Sequence, residues 1–270
     1  MTAPDQPFIR LRNVRKVYRS QGKEFLAVSD VTMDVQEGEL ISLVGPSGCG
    51  KTTVVKILAG LHDADGGTVQ IGNARTPFDP ARDIGMVFQQ PLLLKWRTIF
   101  DNVLLPAEIV GLPIKAARTR ARELLHLVGL AGHEDKYPQQ LSGGMQQRTA
   151  IARAFIHDPK LILMDEPFGA LDALTREQMN LEMLRIWRES GKTIIFVTHS
   201  IQEAVFLASH CAVLTSGPAR MAEYFPIDLP FPRALPIKTT DEFGAYARRI
   251  YESLGLGSGA PGTSETSIPS

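Results

Sequence analysis

The residues Gly45 to Thr53 read GPSGCGKTT and match the pattern G-x-x-x-x-G-K-[ST] at Gly45, Gly50, Lys51 and Thr52. That pattern is built to hold phosphate. Glycines let backbone N–H groups turn inward around phosphate oxygens, and a following helix adds the positive end of its dipole. Pro46, Ser47, Gly48 and Cys49 complete the loop, and Thr53 continues into the helix that it opens. Lys51 offers a point charge to β- and γ-phosphates, and the Thr52 hydroxyl can ligate Mg²⁺. The chemistry to expect is nucleotide binding. Cys49 reads as a small loop residue with no sign of thiol reactivity.

Two adjacent carboxylates, Asp165 and Glu166, end the apolar run LILMDEP. Acids often terminate strands, so the pair is informative only beside a phosphate loop. There Asp165 is placed to hold Mg²⁺ through water, and Glu166, on the other side of the strand end, can orient or deprotonate a water for in-line attack. The bland alternative is that Glu166 caps the next turn. His199 comes after another apolar run, TIIFVTHS, and neighbouring strand ends share one crevice. Its ring can both donate and accept at a γ-phosphate or at the attacking water. Gln89 and Gln90 end a third such run, VFQQP. An amide there can ligate Mg²⁺ or the water and link the site to the helical stretch beyond it; it can equally be a surface amide at a turn.

LSGGMQQR, Leu141 to Arg148, places two glycines before a helical pattern. In isolation Ser142 is an N-cap and the glycines a loop. Beside a phosphate site with one face open, Ser142, Gly143 and Gly144 offer a hydroxyl, two unobstructed N–H groups and a helix N-terminus. Those are the parts of a second γ-phosphate clamp.

The elements that must position these groups are set by periodicity. FIRLRNVRKVY and LAVSDVTMDV alternate as strands, and ELISLVG, KLILMDEP and KTIIFVTHS are short buried strands. GGTVQIGN and IGMVFQQ are two more. KTTVVKILAGL is a helix closing near Gly60, and ALTREQMNLEMLRIWRES is an amphipathic helix making a βαβ unit between the last two buried strands. From about residue 91 to 157 the spacing turns helical, which predicts a helical insertion in an α/β chain. A short helix is expected at TDEFGAYARRIYESL, and the polar ends, residues 1–7 and 256–270, are expected to be poorly ordered.

The whole chain has 270 residues with 44% hydrophobic and 21% charged, so it can bury a sizeable core. Lys+Arg and Asp+Glu both total 29, which argues against a generic nucleic-acid or anionic-membrane binder. Two cysteines make neither a disulfide framework nor a metal spacing. No apolar run is long enough to span a bilayer, and no secretory leader is visible.

Taken in order, GPSGCGKTT, VFQQP, LSGGMQQR, LILMDEP, GALD and VTHS resemble the nucleotide-binding subunit of an ATP-binding cassette (ABC) transporter, over residues 8–225. The resemblance implies a P-loop (RecA-like) α/β core, a small antiparallel β-subdomain and an inserted helical subdomain at about 91–157. Residues 226–255 would be a C-terminal extension. It implies ATP and Mg²⁺ as cofactors. It assigns adenine stacking to Tyr18, metal binding to Asp165, catalysis to Glu166, the switch role to His199 and the link to the helical subdomain to Gln89. Asp172 in GALD would communicate across a dimer. The family often has serine where Gly169 stands, which puts one interface hydrogen bond in doubt.

The same resemblance implies a homodimer, or pairing with a similar subunit, that sandwiches two ATP molecules. Ser142–Gly144 would then face the ATP of the opposing chain. Separate transmembrane permease subunits and a periplasmic solute-binding protein are implied as partners, with the chain peripheral on the cytoplasmic face of the inner membrane. PFGALDALTR and LLKWRTIFDNV resemble the nitrate/sulfonate/taurine importer group. The apolar PLLLKWRTIFDNV is expected to pack the helical insertion and to offer Leu92–Trp96 to a partner's coupling helix. The rival readings are a lipoprotein-release or export ATPase, a soluble non-transport ABC ATPase and a P-loop small-molecule kinase. The solute itself leaves no trace in an ATPase chain.

Overall fold

The computed structural model describes residues 6–20, 22–73, 76–215 and 217–256, so the expected disorder of residues 1–5 and 257–270 lies outside the described residues. The chain runs β1 (Ile9–Ser20), β2 (Lys23–Val35), β3 (Leu40–Val44), α1 (Lys51–Leu58), β4 (Gly66–Ile71), α2 (Pro80–Asp83), β5 (Ile84–Val87), α3 (Ile99–Ile109), α4 (Ile114–Leu127) and α5 (Gly143–Phe155). It continues with β6 (Leu161–Asp165), α6 (Ala173–Ser190), β7 (Thr193–Thr198), α7 (Ile201–Leu207), β8 (His210–Thr215), β9 (Ala219–Pro226) and α8 (Asp241–Ser253).

The strands form one sheet in the order β4-β1-β2-β9-β8-β3-β7-β6-β5. From β8 to β5 all neighbours are parallel. The central strands are buried on both faces, and their alternate residues divide between two apolar layers. Ile162, Met164, Ile194 and Phe196 enter one layer, while Leu161, Leu163, Ile195 and Val197 enter the other. Each such fully buried side chain contributes about 1.5–3 kcal/mol. This is why three short apolar runs, with no polar face, read as central strands.

The antiparallel part is a wing of that same sheet. β1 pairs antiparallel with both β2 and β4, and β2 joins the core through Val28 opposite Ala219 and Asp30 opposite Arg220 on β9. Helix α1 lies in the layer between the wing and the core strands, with Val54, Val55, Ile57 and Leu58 buried. β6, α6 and β7 form the expected βαβ unit, and α6 ends at Gly191 in a left-handed conformation, φ 62.

Between β5 and β6 the chain forms α3, α4 and α5, the expected helical insertion. Its entry loop is latched by Asn102, fully buried on α3. The Asn102 amide donates to the Leu94, Arg97 and Thr98 carbonyls at 2.9–3.1 Å and accepts from the Leu94 N–H at 2.7 Å. Beyond β9, Phe243, Ala247 and Ile250 of α8 are buried in the same apolar layer as Phe196, so this extension packs into the core. Among the described residues no helix is long and apolar enough to cross a membrane.

Candidate active site

The loop after β3 opens α1, as its sequence pattern requires. Two of its glycines are dictated by space. A Cβ at Gly45 would come within 2.5 Å of the Leu214 carbonyl oxygen, and Gly50 sits at φ 113 with the Ala27 carbonyl 2.8 Å from where a Cβ would be. No side chain caps the N-terminus of α1, which leaves that helix end to a ligand.

A cavity of about 420 Å³ lies in front of this loop. Ser47, Gly48, Gly50, Lys51, Thr52 and Thr53 line one side, and Gln89, Asp165 and Glu166 line the other. Gly45 and Pro46 stand behind it, where their carbonyls accept the Lys51 ammonium at 2.8 and 2.9 Å. Cys49 is buried, and burial first of all pushes its thiol up from the ordinary value, so only its backbone can serve a ligand.

Strand alternation alone would send Asp165 and Glu166 to opposite faces. β6 ends at Asp165, however, and Glu166 takes a left-handed backbone, φ 47, so both carboxylates line the one cavity. That conformation costs a non-glycine residue about 1–3 kcal/mol, and such strain collects at functional sites. The Glu166 side chain is held from two sides: His199 Nδ1 lies 3.0 Å from Oε2, and Lys51 Nζ lies 3.5 Å from Oε1. Lys51 is only 4% exposed, so a phosphate arriving at its ammonium competes with Glu166 for the same charge.

Asp165 accepts the Thr52 hydroxyl at 2.9 Å. Burial pushes the Asp165 carboxyl up, the Thr52 hydrogen bond opposes this, and the neighbouring charge of Glu166 adds to it. The Asp165 carboxylate, the Thr52 hydroxyl and the Gln89 amide are hard oxygen donors, which fits a magnesium-type cation. Among the described residues no three His, Cys, Asp or Glu side chains are grouped to hold a metal.

Tyr18, Ser142, Gly143, Gly144 and Asp172 do not line this cavity. Tyr18, on β1, packs edge-to-face against His62 with ring centroids 5.6 Å apart. Ser142 is the N-cap of α5, its hydroxyl accepting the Met145 N–H at 3.3 Å, so the bland reading of that serine holds locally. Ser142 and Gly143 are nevertheless exposed. Asp172 caps α6 through the Thr175 N–H at 3.0 Å. Gly144 stands against the first turn of α6, where a Cβ would be 2.9 Å from Thr175 Cγ2. The two helix ends thus adjoin. At Gly169 a Cβ would lie 3.4 Å from Gln89 Nε2, so a larger residue there would press on that amide.

Sequence reasoning missed the residues that hold the Gln89 loop. Gln147, on the buried face of α5, donates to the Phe88 carbonyl at 3.2 Å, and Arg153 donates to the Pro91 and Leu92 carbonyls at 2.7 and 2.9 Å. The signal was available: both are long polar residues among buried positions of α5. The loop they hold borders a second, larger groove of about 770 Å³, lined by Gln90 to Leu93 and Lys95 on one side and by Pro138, Gln139 and Gln146 on the other. Leu92 and Trp96 are 57% and 75% exposed beside it.

Comparison with known proteins agrees with this arrangement. The ABC transporter family profile matches residues 28–169. An uncharacterized ABC transporter ATP-binding protein of Methanocaldococcus jannaschii is 43% identical over 246 residues, 91% of each chain. A taurine import ATP-binding protein of Yersinia pestis is 46% identical over 203 residues, 75% of this chain and 78% of that one. The dimeric post-hydrolysis structure of the ATP-binding cassette MJ0796, bound to ADP and Pi, superposes with a TM-score of 0.71 at 33% identity and covers 82% of this chain and all of that one.

Proposed function

The chain belongs to the ABC transporter family, as the ATP-hydrolysing, nucleotide-binding subunit of a transporter, and on that premise we propose that it powers the import of a small anionic solute. The solute class is a sulfonate such as taurine, nitrate, or a related small metabolite. The reading is supported by similarity to a taurine import ATP-binding protein across three quarters of the chain. Separate transmembrane permease subunits carry the solute, a periplasmic binding protein delivers it, and this chain docks peripherally on the cytoplasmic face of the inner membrane.

Each group of the site takes one part of the chemistry. Backbone N–H groups from Ser47 to Thr53 and the Lys51 ammonium receive the phosphates of ATP. Thr52, Asp165 and Gln89 would hold Mg²⁺, which would supply charge neutralisation to the bound phosphates. Glu166 takes a proton from the attacking water, and His199, hydrogen-bonded to it, steadies the carboxylate and reads the γ-phosphate. Tyr18 stacks on adenine. The observation that carries this reading is that Lys51, Gln89, Asp165 and Glu166 face one cavity while Ser142–Gly144 and Asp172 do not line it. The clamp therefore serves the ATP of a second chain, and two chains complete two sites. The groove beside Leu92 and Trp96 receives a coupling helix of the permease.

Uptake tests the finer part. Deleting the gene is expected to abolish accumulation of labelled taurine or a small alkanesulfonate, and the tagged chain should co-purify with a polytopic membrane protein. Undiminished uptake of those anions and nitrate in the deletion strain would remove the solute class.

A further inference from the structure

The C-terminal extension carries no motif and lies outside the stretch that matches the family profile. Its polar groups nevertheless converge on one element. Helix α7 starts two residues after His199 and is held at both ends. At its start Ser200 is the N-cap, its hydroxyl accepting the Glu203 N–H at 3.3 Å, and the Ser200 N–H donates to Thr198 Oγ1 at 2.9 Å. Glu203, 6% exposed, accepts the Thr198 hydroxyl at 2.5 Å, and its other oxygen lies 3.6 Å from Arg176 Nε on α6. Both neighbours of His199 are thus tied to Glu203, Thr198 through the buried carboxylate and Ser200 through the backbone N–H, and the carboxylate is paired in turn with the helix that Asp172 caps.

At its far end α7 meets Arg233. One guanidinium nitrogen donates to the Val205, Phe206 and Ala208 carbonyls at 2.8, 3.0 and 2.9 Å, and the other donates to Ile227 and Leu229 at 3.2 and 3.1 Å. Lys238 lies 4.6 Å over the Phe206 ring and pairs with Glu177 of α6 at 2.5 Å. A buried guanidinium is expensive to desolvate, so apolar side chains would pack this extension at least as well. What the fork supplies is direction: three carbonyl bonds to the end of α7 and two to Ile227 and Leu229 fix α7 against the extension, and a cation suits a helix C-terminus.

We propose that the C-terminal extension, residues 227–253, is a brace that sets the position of His199 for hydrolysis, acting through α7, with Glu203 and Arg233 as positioning residues at its two ends. The proposal rests on the catalytic reading of His199 under the proposed function. A seven-residue helix pinned at both ends transmits a displacement as a rigid unit, and a reacting group displaced by about 1 Å can lose up to 10²-fold in rate.

The test is steady-state ATP hydrolysis by the full chain carrying Glu203→Gln or Arg233→Lys. The first keeps volume and an acceptor for Thr198 but removes the charge facing Arg176; the second keeps charge but loses the fork. Each is expected to lower kcat about five- to twentyfold with KM for ATP within about twofold. The imidazole resonances of His199, followed in ¹³C-histidine-labelled protein, are expected to move in both. His199→Ala run in parallel separates the two levels: if it hydrolyses at the normal rate, the reading of His199 fails. If His199→Ala is inactive while Glu203→Gln keeps the normal kcat and unmoved His199 resonances, the brace is wrong. A loss expressed in KM alone also overturns it. Should Arg233→Lys fail to fold, Lys238→Gln takes its place, since it lies in the extension and loses the pair with Glu177, and a normal kcat there overturns the brace.

Discussion

Lys51 faces two claimants. Its ammonium is satisfied by the Gly45 and Pro46 carbonyls and stands 3.5 Å from Glu166. On the proposed reading a γ-phosphate entering the cavity takes a share of that charge and leaves Glu166 to water and to His199, already 3.0 Å away. Lys51→Ala is therefore expected to weaken ATP binding about 10- to 100-fold, in line with about 1.5–3 kcal/mol for a charged hydrogen bond. Nucleotide titration of the folded variant measures it, and unchanged affinity would remove Lys51 from the phosphate site. Lys51, Thr52 and Asp165 were legible in the sequence because a phosphate loop and an acidic strand end concentrate their chemistry in consecutive residues. The partners of Gln147 and Arg233 were not, because each is a backbone carbonyl brought close only by tertiary packing.

The N-terminus of α5 separates folding from function at the level of an element. Gly143 has nothing within 4 Å of where a Cβ would stand, and its backbone is not in the left-handed region. Gly143→Ala is thus expected to leave the fold as stable as before or to stabilise it by up to ~1 kcal/mol through helix propensity. The same methyl group would cover the face that the clamp offers to a second chain. Hydrolysis is expected to fall about 10- to 100-fold. Denaturant melts and a turnover assay on one preparation check both halves, and full turnover would return the glycines to a structural role. Most elements were readable because the central strands are buried on both faces and the helices keep helical spacing, whereas α7, β8 and β9 carried no expectation. The continuity of the sheet was not. It depends on Val28 meeting Ala219 and Asp30 meeting Arg220, contacts between distant parts of the chain that leave no local pattern.

For the molecule as a whole, one face of the phosphate cavity has no donors from this chain's own clamp, and the two helix ends carrying Ser142–Gly144 and Asp172 adjoin elsewhere. Exposed Leu174, at 79%, comes after Asp172 on the same surface. On the proposed reading such a chain is half of an enzyme, completed when two copies close on ATP. Size-exclusion chromatography of Glu166→Gln with and without ATP, paired with a turnover assay, tests this most directly. The variant should form an ATP-dependent dimer while hydrolysis falls by about 10²-fold or more, the typical contribution of a general base. A variant that stays monomeric in ATP, or that hydrolyses ATP at the normal rate, would contradict it.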